Sequence, residues 1–242
     1  MTVTQNRIEK NLQAIRGEIV AACERSGRDA SKVSIVAVTK SVNVETIRNL
    51  IDVGMLDLGE SRVQQLTDRV EEIDAYLQRR RKPIPSPVRW HMIGHLQRNK
   101  VKPCLQAAEM VHSVDSLRLA EEINTRSEKM DRTTDVFLQV NCSKEQQKYG
   151  CAVGAAQHLA EMICSMDHIR LVGLMTMAPY SDNPEQDARP SFRRLREIFD
   201  DMKHDGIGTD AFRHLSMGMS NDYVQAVEEG ATVLRIGTAL FE

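Results

Sequence analysis

Lys40 ends the run Val33-Ser34-Ile35-Val36-Ala37-Val38-Thr39-Lys40, whose β-branched residues read as a buried strand with a primary amine at its end. Strand ends are where a barrel of parallel strands keeps its chemistry. An amine held partly away from water loses solvation of its charged form; its pKa falls, and the neutral base condenses with aldehydes. A lysine that merely caps a strand in solvent is the plain alternative, and position alone does not separate the two.

Two later clusters have the composition of an anion site. In His214-Leu215-Ser216-Met217-Gly218-Met219-Ser220-Asn221-Asp222 a strand passes through small and hydroxyl residues into a helix. Free backbone N–H groups at such a helix start point at phosphate, Ser216 or Ser220 adds a hydroxyl, and Gly218 allows close approach. Ser220 as a simple helix cap fits equally well. In Val233-Leu234-Arg235-Ile236-Gly237-Thr238-Ala239 the last strand runs into a glycine and a threonine, and Arg235 alternates with Leu234 and Ile236, which turns it toward a barrel interior. A buried guanidinium needs an acceptor. An interior carboxylate is one choice and a pyridine nitrogen another. If the sheet closes, the last strand lies about 4.8 Å from the first. Lys40, Arg235 and both loops then converge, and a flat cofactor with a phosphate, a ring nitrogen and an aldehyde fits all three; pyridoxal 5'-phosphate (PLP) is such a molecule.

Elements must bring these residues together. Ile8, Leu12, Ile15, Ile19 and Ala22 repeat at spacings of three and four and predict a first helix, ended by Gly27, within an N-terminal segment 1–28 that packs on the rest. Strand-like runs follow at 33–40, 57–60, 89–94, 110–114, 135–141, 169–177, 214–218 and 232–237, with helical patterns beginning near Asn43, Arg62, Gln97, Ser116, Val153, Pro190 and Asn221. Alternation of this kind implies parallel strands joined by right-handed crossovers. We therefore expect an α/β chain folded as a (β/α)8 TIM barrel with an additional N-terminal helix, one PLP-binding domain over residues 1–242. An open doubly wound sheet is the competing architecture, but no G-x-G-x-x-G follows the first strand.

Composition narrows the function classes. The 242 residues are 41% hydrophobic and carry a net charge of -2, enough for a large core and without the basic excess of nucleic-acid modules. The basic stretch Arg79-Arg80-Arg81 and the prolines after it read as a loop, so no nucleic-acid partner is expected. Five cysteines without a C-x-x-C pair fit reduced thiols, and no stretch approaches the roughly 18 apolar residues of a membrane span. A cytoplasmic monomer with no membrane partner is the expectation. His91 and His95 have the spacing of a helical metal pair, but His91 lies on a strand and Gly94 intervenes, so no metal is expected and His91 is assigned to the pocket lining. Met175 and Met177 alternate along the sixth strand, where core filling is the ordinary role. Nothing marks the Cys142 thiolate as stabilised.

The ordered motifs Val36-Ala37-Val38-Thr39-Lys40, Leu58-Gly59-Glu60, His91 through Lys100, Asn141 through Gly150, Gly173 through Pro179, Leu215 through Ser220 and Val233 through Thr238 resemble, almost end to end, the YggS/PROSC family of PLP homeostasis proteins, related to the N-terminal barrel of alanine racemase. The resemblance implies Lys40 as the Schiff-base lysine, Arg235 opposite the pyridine nitrogen, and Ser216, Gly218, Met219, Ser220, Gly237 and Thr238 around the phosphate; Ser61, His91 and Met177 are expected to complete the cofactor site, with no catalytic residue. Ser61 departs from the family, which usually has asparagine after Gly-Glu. The implied function is storage of PLP and its exchange with apo PLP-dependent enzymes and free amino acids, with little or no catalysis; an amino-acid racemase using His91 or Tyr180 as a second base is the alternative. A permanent cation at Arg235 opposes protonation of the ring nitrogen and so weakens carbanion chemistry. The racemase shares this arginine, but draws a catalytic tyrosine from an additional domain that is not expected here.

Overall fold

The computed structural model describes residues 2–143, 145 and 149–242. Eight parallel strands, β1 (Ser34–Val38), β2 (Asp57–Glu60), β3 (Arg89–Met92), β4 (Met110–Val114), β5 (Thr134–Asn141), β6 (Ile169–Met175), β7 (His214–Ser216) and β8 (Val233–Ile236), pair in sequence order, and β8 returns to β1. The chain is a closed (β/α)8 TIM barrel, as expected. Helices α2 (Val44–Asp52), α3 (Val63–Arg79), α4 (Val101–Ala107), α5 (Leu117–Glu128), α6 (Val153–Cys164), α7 (Arg189–His204), α8 (Tyr223–Glu228) and α9 (Thr238–Phe241) follow the strands in turn. A two-residue strand, Cys151–Ala152, adds to the end of β5; it is too short to show a period in sequence. No helix among the described residues is long and apolar enough to cross a membrane.

The preceding helix α1 (Gln5–Ser26) forms because its apolar residues make one stripe, and Ile8, Leu12, Ile15 and Ile19 are buried in the core shared with the barrel helices. Each such side chain contributes about 1.5–3 kcal/mol. Gly27, at φ 67°, gives the left-handed residue that ends the helix, and Arg28 N–H bonds back to Cys23 O at 2.8 Å. The Arg28 guanidinium donates to the carbonyls of Val227, Gly230 and Ala231, so the loop between α8 and β8 is tied to the end of α1.

The inside of the cylinder is only partly apolar. Val36, Phe137, Val172, Met175 and Val233 form an interior cluster apart from the main core, while His112 and Ser216 are fully buried and Arg235 is 4% exposed. Burial, then the neighbouring His91, Arg235 and His214, hold the His112 imidazole well below its ordinary pKa.

A second buried charge organises the loop after β1. Arg69 of α3 forms an ion pair with fully buried Glu60 at the end of β2 and donates to Thr39 O and Val42 O, both at 2.6 Å. Glu60 also accepts the Thr39 hydroxyl, and Gln65 donates to Lys40 O at 3.0 Å. The carbonyls on both sides of Lys40 are thus clamped by one guanidinium. Burial pushes the Glu60 carboxyl up, against the pull of Thr39, Arg69 and Lys40. Arg69→Met, which leaves that carboxyl buried without its cation, is expected to lower unfolding stability by about 3–5 kcal/mol, measured by denaturant titration, with part recovered in Arg69→Met/Glu60→Leu. For His112 the unfolded chain takes up a proton near pH 6.5 that the folded chain refuses, so stability falls on acidification from that pH by about 1.4 kcal/mol per unit until the folded pKa is reached. His112→Gln removes this component, and the two pH–stability curves measure it.

Candidate functional site

β1 stops at Val38, two residues before the sequence pattern suggested, and Lys40 lies exposed in the turn that follows. The expected burial of this strand end is not seen: the loop clamped by Arg69 carries Lys40 out onto the C-terminal rim. Lys40 lines an open cleft of about 670 Å³ with Ser61, Arg62 and Gln65. Ser61, half-buried directly after β2, is a neighbour of Lys40 in this cleft.

Barrel closure sets Arg235 against β1, with Val36 as its register partner and Ala37 opposite Ile236. Gly237 follows and lies against Val38; a Cβ there would be 3.5 Å from the Val38 side chain. The loops after β7 and β8 are joined by Ser220, whose hydroxyl accepts N–H from Gly237 and from Ala239, each at 3.2 Å. Thr238 is exposed beside them. Gly218 adopts φ 94°, and a Cβ would come within 2.6 Å of Ala226, so both conformation and space demand glycine. Met219 is half-buried and donates its N–H to Asp222 at 2.6 Å. Burial raises the pKa of Asp222, against the pull of the Met219 N–H and Arg235, and its second oxygen has no partner among the described residues. Lys40, Arg235, Gly218, Met219, Ser220, Gly237 and Thr238 thus belong to three neighbouring strands or the loops at their C-terminal ends.

Two assigned residues have different surroundings. Ser216 is fully buried, and its hydroxyl is 2.7 Å from Arg235 Nη1 and 2.9 Å from His112 Nδ1. That side chain is committed inside the barrel and does not face the loops. His91 is buried on β3, with Nδ1 3.0 Å from His112 Nε2 and Nε2 3.0 Å from Asp57 Oδ1. It lines a cavity of about 220 Å³ with Arg89, Glu109 and Asp135, near the strand starts and remote from the rim. Met177 lies on the rim after β6 and is 42% exposed. His95 leaves the strand to stack on Tyr149 at 4.1 Å and to face Asp115, so it makes no pair with His91. Burial pushes the Cys142 thiol up to about 11. Within the basic run, Arg80 pairs with Asp52. Much of the Asn141–Gly150 motif, with Lys144 and 146–148, lies outside the described residues.

Sequence reasoning missed His112, Asp57 and Thr176, which bond these groups. The alternation of β4 was the available signal, since a histidine between Val111 and Ser113 sits at an inward position. Burial lowers the Arg235 pKa to about 10, which leaves it cationic at neutral pH, and Asp222 acts on it only across space.

An amine, an inward guanidinium and a loop pair rich in N–H and hydroxyl groups are the donor set that a flat aldehyde phosphate requires, so the residues fit PLP. The family model described as alanine racemase, N-terminal domain, matches residues 7–242. A pyridoxal phosphate homeostasis protein of Aquifex aeolicus is 38% identical over 232 residues, 96% of each chain. A protein of Bifidobacterium adolescentis described as unknown superposes with a TM-score of 0.90 at 35% identity, over 98% of this chain and 95% of that one. PipY of Synechococcus elongatus, solved with PLP bound, gives a TM-score of 0.81 at 26% identity, over 97% of this chain and 100% of its own. With the motifs in order and the barrel closed, this chain belongs to the alanine racemase N-terminal domain family, among the pyridoxal phosphate homeostasis proteins.

Proposed function

We propose that the protein binds PLP at the C-terminal rim, joins it covalently to Lys40, and serves PLP homeostasis by storing the cofactor and passing it to apo PLP-dependent enzymes or free amino acids. One observation carries this reading: β1 and β8 are paired in a register that brings the Lys40 loop, Arg235 and the Ser220–Gly237 junction to the same end of the barrel. PLP supplies an electrophilic aldehyde carbon and an electron-withdrawing ring. Lys40 supplies the amine, Arg235 faces the ring nitrogen as a donor, and Gly218, Met219, Ser220, Gly237 and Thr238 hold the phosphate through backbone N–H and hydroxyl groups. Ser61 and Met177 border the rim.

The chain's own groups favour storage over turnover. Lys40 is exposed, so amines from solution reach the attachment point. Arg235 remains cationic and keeps a proton off the ring nitrogen, which weakens stabilisation of carbanions. A racemase needs a second base facing Lys40, but His91 is buried near the strand starts and Tyr180 is 80% exposed on the loop after β6. The proposed setting is the cytoplasm, with the protein acting as a monomer.

Borohydride reduction of PLP-loaded protein followed by peptide mapping is expected to leave a pyridoxyl group on Lys40 alone; a mark confined to Lys129 or Lys203 overturns the site. Lys40→Ala is expected to lose the mark and to weaken PLP binding by at least about tenfold, roughly 1.4 kcal/mol, in equilibrium dialysis. Chiral chromatography of alanine and serine incubated with loaded protein is expected to show no enzyme-like interconversion, and rapid Lys40-dependent interconversion establishes the racemase instead.

A further inference from the structure

The barrel interior contains an unbroken line of polar contacts. Asp57 Oδ1 meets His91 Nε2 at 3.0 Å, His91 Nδ1 meets His112 Nε2 at 3.0 Å, His112 Nδ1 meets Ser216 Oγ at 2.9 Å, and Ser216 Oγ meets Arg235 Nη1 at 2.7 Å. It starts at the first residue of β2 and ends near the close of β8.

Donor chemistry gives this line a direction. Arg235 has only donors, so Ser216 Oγ accepts from it. Ser216 is fully buried, and among the described residues its hydroxyl proton has one acceptor, His112 Nδ1. His112, neutral because of its burial and its cationic neighbour, then carries its proton on Nε2 and donates it to His91 Nδ1. The remaining proton of His91 is on Nε2 and points at Asp57. Asp57 is suited to be the terminal acceptor: burial alone would raise its pKa, but His91 and Arg89 outweigh it and hold the carboxyl below the ordinary range. Reversing any one bond forces the others. Were His112 Nδ1 to donate, Ser216 Oγ would face two donors, and its own buried proton would have nowhere to go.

We infer that Arg235→Ser216→His112→His91→Asp57 is a one-way hydrogen-bond relay, and that Ser216 and His112 are positioning residues which hold Arg235 for its contact with the ring nitrogen. This rests on the PLP reading of the site. The arrangement answers a particular difficulty. A carboxylate bonded to Arg235 would satisfy the guanidinium but quench its charge at the ligand. Here both acceptors are neutral, Ser216 Oγ and Thr176 O at 2.9 Å, and Asp222, the carboxylate that acts on it across space, makes no hydrogen bond to it among the described residues. The negative end of the chain is displaced to Asp57, where Arg89 forms an ion pair with it at 2.7 Å. Each hydroxyl or imidazole in the line donates onward, which strengthens it as an acceptor from the side of Arg235. The frame is stiff as well: Thr176 is tied by its N–H to Ser216 O and by its hydroxyl to Val140 O, and the Phe137 ring packs on His112 at 4.4 Å.

The relay is tested first without cofactor, by ¹⁵N–¹H correlation spectroscopy of the imidazole nitrogens at neutral pH in protein freed of PLP. Both His91 and His112 are expected as Nε2–H tautomers; an Nδ1–H tautomer or a doubly protonated ring at either position overturns the relay whatever the fate of the PLP reading. In PLP-loaded protein, Ser216→Ala and His112→Phe are expected to move the visible absorption band and weaken PLP binding by about tenfold while the borohydride mark stays on Lys40, whereas His112→Gln, which can still accept from Ser216, restores both. An unmoved band with unchanged affinity in Ser216→Ala and His112→Phe removes the positioning role. Loss of the mark from wild-type protein instead removes the PLP reading and leaves the tautomer result standing.

Discussion

A guanidinium inside a closed barrel is tolerable only when its N–H groups find acceptors, and Arg235 imposes that condition on everything around it. The neighbouring strands meet it from one side: Ser216 at the end of β7 offers a hydroxyl, and Thr176 just beyond β6 offers a carbonyl. Both acceptors are themselves bonded, so the demand passes inward through His112 and His91 to Asp57. Barrel interiors are usually filled by layers of branched aliphatic residues. In this chain Val36, Val172 and Val233 fill only part of the space, and the polar line takes the rest.

The rim is built on a different principle. Among the described residues the Lys40 amine makes no hydrogen bond like those of Arg235, and acts on Glu60 only across space; what is held is the backbone around it, by Arg69 through the carbonyls of Thr39 and Val42 and by Gln65 through that of Lys40 itself. The buried Arg69–Glu60 pair contributes geometry more than net stability, since such pairs roughly offset their own desolvation. The backbone is set and the side chain is exposed.

The periodic features of the chain were legible in the sequence. All eight barrel strands, the stripe of α1 and its stop at Gly27 follow from local patterns that one segment carries by itself. So did the inward face of Arg235, because alternation along a strand depends only on parity. Partner choice was not legible in this way. Ser216 reads as an anion-loop serine from its neighbours, and its hydroxyl goes to His112, which lies 104 residues away in sequence. His91 resembles one half of a metal pair with His95 until β3 ends at Met92 and the two rings part. Lys40 looks like a buried strand end because Thr39 and Lys40 continue the run, whereas the hydroxyl of Thr39 turns to Glu60 and the strand stops. In each case a contact between distant segments overrode a local preference.

For the proposed carrier role, the contrast between Arg235 and Lys40 bears on release of PLP. A ligand held only by buried charges would leave slowly, because every bond is preorganised and shielded from water; a ligand held only by an exposed amine would be lost to any competing amine in solution. Dividing the grip separates these two behaviours. In the proposed carrier, Arg235 and the loops joined by Ser220 would set how much PLP stays bound, while Lys40, exposed on the rim, would set which amine it is attached to. On that proposal an amine would exchange with Lys40 without disturbing the interior contacts, and Arg235 would keep its place because its own acceptors are protein groups, Ser216 Oγ and Thr176 O.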